Sequence, residues 1–594
     1  MLTQTSQLPQ QPQAGIPDEP LAPPGASEAT RLMCAGTYLD AAYRDAVIEE
    51  LYVREERIAA PSLGHDAARV LAHALRARRI ELGWAGTILG LWVVGLPVSR
   101  YVLIVFLVPY LVLTVASWIR GPRERPPWYR RLPAWVAYWW GLITLALSLI
   151  TMVQAAFGAD EGALAGLMGA VVPDAVAGWT GASSGAPVKA FHAWAALVVL
   201  LAVAGCVAAQ RGHFAGILAR ELHPSHFGDM AGDPAEHFTG RRFQRLRQRI
   251  RVEQHSPLVM YQAAHPFCGA GQAHDTWTLA VELRPDPDRT EPPLPVNNRV
   301  ILDKVDELLA RLRLPSPHAG GMVRDRLRRL ELDECVFLPV AGLPRRDLAP
   351  YDPEAFLVHR TESVEEGGES RRHFLRARVA GWEEEVVTTV FVRVHTQGGM
   401  LMLEIAPHVL LPVRADFQDV DRVAYQYRHN TPLGKAVWAL ARTPRSVVEA
   451  VLALSRAAVM SWRMLTAGYG SALPDGPARS VRELASGDSA SLFQDMDVNR
   501  YLKSIQDRVA QGVRQVLKEA GYRTDEFAQK IVNVSGGSTL IENVQGSFAV
   551  GDNNVITHKA PGAPGAPSAP SAPSAPSASG ISSTSTTGGA EENG

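Results

Sequence analysis

The chain has 594 residues, 47% of them apolar, with 59 Lys and Arg against 60 Asp and Glu. That length exceeds a single core, so several units are expected, and the balanced charge excludes a global field that would draw in nucleic acid or an acidic partner. Four cysteines far apart in sequence (Cys34, Cys206, Cys268, Cys335) exclude a disulfide framework and any Cys-x-x-Cys pair.

Residues 1–30 include QLPQQPQAGIPDEPLAPPGAS, are polar and Pro/Gln-rich, and lack an apolar core segment. They are expected to be disordered and carry no cleavable signal pattern. Residues 31–80 read as a helical segment. Leu39, Ala42, Tyr43, Val47 and Leu51 recur at or near three- and four-residue steps. Pro61, Ser62 and Gly64 interrupt it, and Asp66 is placed to cap a helix that runs into the first apolar run.

Four runs without Asp, Glu, Lys or Arg fill residues 82–209: 82–98, 101–119, 134–158 and 191–209. Each is long enough for a hydrocarbon layer of roughly 30 Å. Only Ser99 and Arg100 part the first two, and Gly95 and Pro97 offer a break, so 82–119 is expected to form a tight helical hairpin. Arg76, Arg78, Arg79, Arg120, Arg123, Arg125, Arg130, Arg131, Arg211 and Arg220 collect on one side. The loop 159–190 carries Asp160, Glu161 and Asp174 against Lys189. This asymmetry predicts cytoplasmic termini in a multi-pass protein of the cell membrane. Trp84, Trp118, Trp128, Trp135, Trp139, Trp140 and Trp194 lie near span ends, as interfacial indoles do. The spans lack the ionisable groups that transport paths use, so they read as an anchor and transport is the less favoured reading.

Residues 210–255 form a basic membrane-proximal segment. Its first part holds His213, Glu221, His223, His226, Asp229, Asp233, Glu236 and His237, but Pro and Gly interrupt the set and no metal-ligand spacing emerges. A polar loop is expected there. RRFQRLRQRIR follows, with Arg241, Arg242, Arg245, Arg247, Arg249 and Arg251 around Phe243, Leu246 and Ile250. A basic amphipathic helix beside a bilayer is expected to meet anionic lipid headgroups, and nucleic acid is the less favoured partner.

Residues 256–430 read as a cytoplasmic α+β domain. Strands are expected at SPLVMYQ, TWTLAVEL, LELDECVFLPV, HFLRARVAG, EEVVTTVFVRVHT and MLMLEIAPHVLLPV, with Gln397–Gly398–Gly399 turning a hairpin. An amphipathic helix is expected over 298–314, and TESVEEGGES (361–370) reads as a solvated loop. Residues 431–530 form a helical region. Glu449, Arg456 and Arg463 stand seven apart, which puts them on one stripe. A helix packed on the domain or lying in the interface is expected over a fifth span, whose core would have to take two arginines. Leu502, Ile505, Val509, Val513, Val516 and Leu517 make an apolar face that needs a partner, from this chain or another copy. Residues 531–558 read as a short β motif open to strand addition, and 559–594 as a disordered Pro/Ala/Ser tail. The fold class expected is thus a four-helix transmembrane region plus a cytoplasmic α+β domain, C-terminal helices and disordered termini.

The densest chemistry lies in HPFCGAGQAHDTW (265–277). A cysteine nucleophile would need His265 or His274 within reach of Cys268. A phosphate loop would need a helix after the glycines, whereas GAGQAHD leads into a strand. The stretch therefore reads as a turn joining MYQ to TWTLAVEL, with Phe267 and Trp277 adding apolar contacts at the mouth of a sheet. It is a candidate binding surface of His265, Phe267, Cys268, Gly269, Gly271, His274 and Trp277, with no cofactor, metal or catalytic residue assigned.

Three stretches, RLMCAGTYLD, RIAAPSLGHDAARVLAHALRARR and MYQAAHPFCGAGQAHDTW, keep their order around the spans. Together they resemble a group of uncharacterised multi-pass membrane proteins of actinobacteria with a Pro-Phe-x-Gly-x-Gly…Trp pattern, here Pro266, Phe267, Gly269, Gly271 and Trp277. The position of Cys268 is commonly aliphatic in that pattern. The segment around GSFAVGDNN is similar to short Gly/Asn β-repeats attached to actinobacterial signalling or conflict proteins. The resemblance implies no activity. The functional expectation is a membrane-anchored interaction protein, a scaffold or sensor, binding an unknown protein or itself through the C-terminal helix and β motif. The alternative is a membrane-surface enzyme centred on 265–277.

Overall fold

The computed structural model describes residues 23–121, 127–158, 189–237, 240–314, 327, 329–366, 368–382 and 385–527. The expected β motif at 531–558, the tail at 559–594 and most of the loop 159–190 lie outside the described residues. Of the segment 1–30 expected to be disordered, residues 23–30 are structured. Ser27 caps α1 (Glu28–Leu39), its hydroxyl accepting the Thr30 N–H at 3.2 Å. The Pro/Gln-rich composition that marks the first residues gives way to a capping Ser before position 30.

α2 (Ala41–Ile48) follows, then α3 (Ala67–Val98), whose first turn is capped by Asp66 as expected. α3 is one 32-residue helix, about 48 Å long, that begins in the polar part and ends as the first span. The chain then breaks: Arg100 and Tyr101 both take left-handed conformations, with φ of 52° and 65°. α4 (Leu107–Arg120), entered through a 3-10 turn, folds back so that Trp92 and Tyr110 meet edge-to-face at 6.1 Å. Residues 82–119 are therefore a hairpin and not one helix. α5 (Trp128–Ala156) and α6 (Ala190–Arg220) complete four helices long and apolar enough to cross a membrane. Phe157 and Trp194 pack at 5.4 Å at one end of the bundle, and Arg76 pairs with Glu221 at the other. Ala193, Ala196 and Ala204 let α6 approach Ile88, Trp92 and Leu103 closely.

Beyond the spans come α7 (Arg241–His255), β1 (Leu258–Tyr261), β2 (Gln272–Ala273), β3 (Trp277–Glu282), α8 (Asn298–Ala310), β4 (Leu330–Pro339), α9 (Pro353–Glu365), β5 (Arg372–Gly381), β6 (Val386–Gln397) and β7 (Met400–Leu410). One sheet runs β1-β4-β5-β6-β7-β2, with β3 also on β7; only β1 and β4 are parallel. Gly398 and Gly399, at φ of 60° and 77°, make the expected β6–β7 turn. The expected loop at 361–370 is half helix, because α9 starts on Pro353 and continues through Glu365.

The C-terminal helices are α10 (Val420–His429), α11 (Pro432–Thr466), α12 (Val481–Leu484) and α13 (Leu492–Glu519). They part company. α13 lays Leu502, Ile505, Val509 and Val513 on α8 and on the sheet face bearing Val390, Val392 and Leu403. The partner that its apolar stripe required is thus within this chain. α11 instead runs past the Arg-rich ends of the spans. Trp438 lies under the Arg211 guanidinium at 5.3 Å, Arg445 lines a cavity shared with Arg120 and Arg131, and Ala450 and Ala453 join the core that holds Trp92. Arg456 and Arg463 pair with Asp45 and Glu49. The two arginines of the seven-residue stripe thus face acidic residues of the N-terminal helices, while Glu449 lies within electrostatic reach of Arg442 and Arg445, and α11 is not among the four span-like helices.

Candidate functional site

The stretch 265–277 does not make the expected turn between neighbouring strands. β1 and β3 lie at opposite edges of the sheet, so the loop between them crosses its face. Phe267 marks the crossing. Its ring centroid lies 4.6 to 5.7 Å from those of Phe337 on β4, Phe374 on β5, Phe391 on β6 and His408 on β7. Trp277 starts the edge strand opposite Ile405 and packs with the α8–α13 side. The two aromatic residues are separated by the sheet, because Phe391 and Ala406 face one side while Val392 and Ile405 face the other.

Past Phe267 the backbone turns through Gly269 and Gly271, at φ of 97° and 93°. A Cβ at Gly271 would stand 2.3 Å from the Val409 carbonyl oxygen, so this position requires glycine. The two amides point at one acceptor: the N–H groups of Gly269 and Gly271 donate to Glu483 Oε1 at 2.8 and 3.1 Å. Successive N–H groups of this kind form a concave anion-binding nest. Here the anion is a side chain of α12, which Ser480 and Glu483 close with a capping box. The Cys268 thiol donates to Glu483 Oε2 at 3.9 Å. Burial, and then the Glu483 carboxylate, push that thiol well above its ordinary range. Deprotonation, which nucleophilic attack requires, is opposed at this position.

A cavity of about 550 Å³ opens beside the loop, lined by His265, Phe267, Cys268, His408, Glu483 and Asp488 among others. His408, tilted against Phe267, is lowered below the ordinary histidine range by burial. His265 is exposed, and His274 donates its backbone N–H to the Pro407 carbonyl at 2.9 Å while its ring sits 4.0 Å from Asp275. The structure thus gathers His265, Phe267, Cys268 and Gly271 at one cavity, and Gly269 meets it only through the N–H it donates to Glu483. It leaves His274 and Trp277 outside that lining. Sequence reasoning missed Glu483 and His408. The Ser-x-x-Glu pattern at 480–483 was a visible capping signal, but nothing local ties it to a loop more than two hundred residues earlier.

The basic helix α7 buries Phe243, Leu246 and Ile250 against the N-terminal helices. Arg242 pairs with Glu55, Arg247 with Glu236, Arg249 with Asp347, and Arg251 with Asp66 and Glu236. Arg241 and Arg245 are exposed. Much of the helix's charge is therefore answered inside the chain. The acidic members of the His/Asp/Glu-rich segment before it are also engaged. Asp233 is buried where Arg69 donates two hydrogen bonds to it, at 3.0 and 2.8 Å, and His73 Nε2 stands at 3.0 Å. The Tyr38 hydroxyl reaches His73 Nδ1 at 3.2 Å. Burial alone would raise Asp233, but its bond to His73, the His73 charge and the bonds to Ala235 and Arg69 hold it well below the usual carboxylate range. The arrangement cross-braces α1, α3 and the segment after α6.

Comparison with known families reaches part of this architecture. Residues 276–553 match the AbeC-like domain. The AbeC-like domain thus starts beside Trp277 and takes in β3 to β7 and α8 to α13. The family is uncharacterised. The four spans, β1, β2 and the loop bearing Cys268 precede the match, so the sheet that contains the AbeC-like strands is completed by strands from outside it. No curated protein and no solved structure matches the chain.

Proposed function

We propose that the protein is a membrane-anchored interaction protein, a scaffold or sensor of the cell membrane with both termini cytoplasmic, in which the AbeC-like domain carries the partner-binding surfaces. The observation that carries this reading is the Glu483 carboxylate seated on the Gly269 and Gly271 amides beside a protonated Cys268. The loop's anion-binding capacity is used internally, and its thiol lacks the activation that covalent chemistry needs. Recognition surfaces are present nearby in chemistry if not in sequence. The first turn of α13 exposes Leu492, Phe493 and Met496, and Trp382 is 45% exposed with its indole N–H on Asp497 at 3.1 Å. Aromatic and Met side chains of this kind anchor interfaces. The Arg-rich face of the bundle and the position of Arg76 against Glu221 support termini on one side. The actinobacterial origin implied by the sequence resemblance belongs to the same proposal.

The test is complementation of a chromosomal deletion together with cross-linking of the full chain in membranes. Cys268→Ala is expected to keep both the phenotype and the cross-linked species. Phe493→Ser combined with Met496→Ser is expected to lose both while the protein still reaches the membrane. Loss of the phenotype in a normally inserted Cys268→Ala protein would instead establish thiol chemistry and overturn the proposal.

A further inference from the structure

We infer that the span bundle holds one anionic phospholipid by its headgroup, in a cavity between α4, α5 and α11 that is separate from the loop at 265–277. The cavity measures about 740 Å³. Arg120 comes from the last turn of α4, Arg131 from the first turns of α5, and Arg445 from α11; Trp128, Trp135 and Tyr138 flank them. Among the described residues no acidic side chain lines it and no ion pair joins any of the three arginines to a carboxylate, although Glu449, one turn along α11, lies within electrostatic reach of Arg445. That sets them apart from the arginines of α7, most of which are paired within the chain. Three guanidinium groups lining one cavity against that single carboxylate leave a net positive site, which an anion would neutralise.

The surroundings select the kind of anion. Residues 128, 131, 132, 135 and 138 share one face of α5 by their three- and four-residue spacing. Leu132, Trp135 and Val136 are 67%, 62% and 53% exposed, and Leu111 and Val115 on α4 are exposed as well. The basic cavity therefore continues into the apolar belt that the spans present to lipid. A phosphate that carries acyl chains satisfies both parts: guanidinium groups bind its oxygens, and the chains lie along α4 and α5. A free phosphate would leave the indoles and the apolar wall without an occupant. α11 supplies the third arginine, so a bound lipid would also fasten the AbeC-like domain to the spans.

The experiment is native mass spectrometry of the full-length protein released from bilayers of phosphatidylglycerol and phosphatidylcholine in equal parts. Phosphatidylglycerol is expected to be retained over phosphatidylcholine. Arg131→Gln with Arg445→Gln should lower that retention by about tenfold or more, and Arg131→Lys with Arg445→Lys should restore most of it. Arg508→Gln with Arg514→Gln, both exposed on α13, should leave retention unchanged. Thermal melting of each variant separates a lost site from a lost fold, and the Lys pair keeps the test decisive if the Gln pair does not fold. Equal retention of the two lipids, unchanged retention in a folded Gln pair, or full displacement by millimolar inorganic phosphate would each overturn the inference. A Gln pair on α13 that abolishes retention would overturn it too, by making retention independent of the cavity.

Discussion

Two carboxylates, Asp233 and Glu483, are held in different ways. Asp233, beneath the spans, is buried and answered by charge: Arg69 donates twice and His73 once. Glu483, at the sheet edge, is half-buried and answered mainly by backbone amides of a glycine loop. A guanidinium that is itself buried depends on its carboxylate, because neither ion can be solvated if the other is removed. Amide groups that lose an anion still keep a neutral acceptor if one is supplied. The helical base is therefore expected to be brittle to loss of charge, and the loop tolerant of it.

Asp233→Asn is the sharpest way to expose the difference. Arg69 is 1% exposed, and its remaining partners are the carbonyls of Gly25 and Phe227 with the Phe227 ring at 3.7 Å. Removing the charge leaves the guanidinium buried without a counter-ion, at a cost of about 3 to 5 kcal/mol. The variant is expected to melt far below the wild type in detergent, or to fail to accumulate in membranes. Arg69→Met with Asp233→Leu, which removes both ions, should recover much of the loss. A single variant that melts within about 1 kcal/mol of wild type would show that the network contributes little.

The same contrast explains what could be read from the residues alone. The spans were legible because lack of charge over a bilayer's length is a local property. The hairpin break was also nearly local: Gly95 and Pro97 marked its neighbourhood, although α3 continues through both and the chain turns at Arg100 and Tyr101. β4 to β7 were legible by alternation and by the Gly398–Gly399 turn. Sheet order was not, since nothing near MYQ or TWTLAVEL says that they occupy opposite edges. The loop was therefore read as a turn. The charged stripe of α11 was visible, but its acidic partners Asp45 and Glu49 lie some four hundred residues earlier in the chain. Glu483 was hidden for the same reason. The glycines could be read locally as a turn, and only the fold shows that their amides hold a carboxylate of this chain.

A smaller effect comes from His65, next to the cap of α3. Burial, and then the Arg482 guanidinium, push it down to about 3. The unfolded chain takes up its proton near pH 6.5, and the folded protein resists until about pH 3. Between these values the unfolded state binds more protons, so stability falls as the pH falls. The loss begins near pH 6.5 and reaches about 1.4 kcal/mol by pH 5.5. Melting at pH 7.5 and 5.5 measures it. His65→Gln should lower the difference between the two pH values by about that amount, leaving what the other histidines contribute. An unchanged difference would mean that His65 is protonated in the folded protein.

The smallest effect belongs to the charge that the loop holds. Glu483→Gln keeps an oxygen where Oε1 accepts from Gly269 and Gly271 and removes only the charge. Hydrogen bonds to a charged acceptor exceed neutral ones by about 1 kcal/mol, so a loss of that order is expected. The change also removes the carboxylate that accepts from Cys268 and helps to hold its thiol protonated. Burial remains the larger cause, so the thiol of the variant should gain only slightly in alkylation rate at pH 8. A rate that jumps to that of a free thiol would place the electrostatic contribution above burial and bring the loop closer to a latent thiolate site. Gly271→Ala, by contrast, forces a Cβ onto the Val409 carbonyl at an unfavourable φ and should be far worse than loss of the charge. At this edge of the sheet the shape of the backbone matters more than the anion it holds, which is the reverse of the order at Asp233.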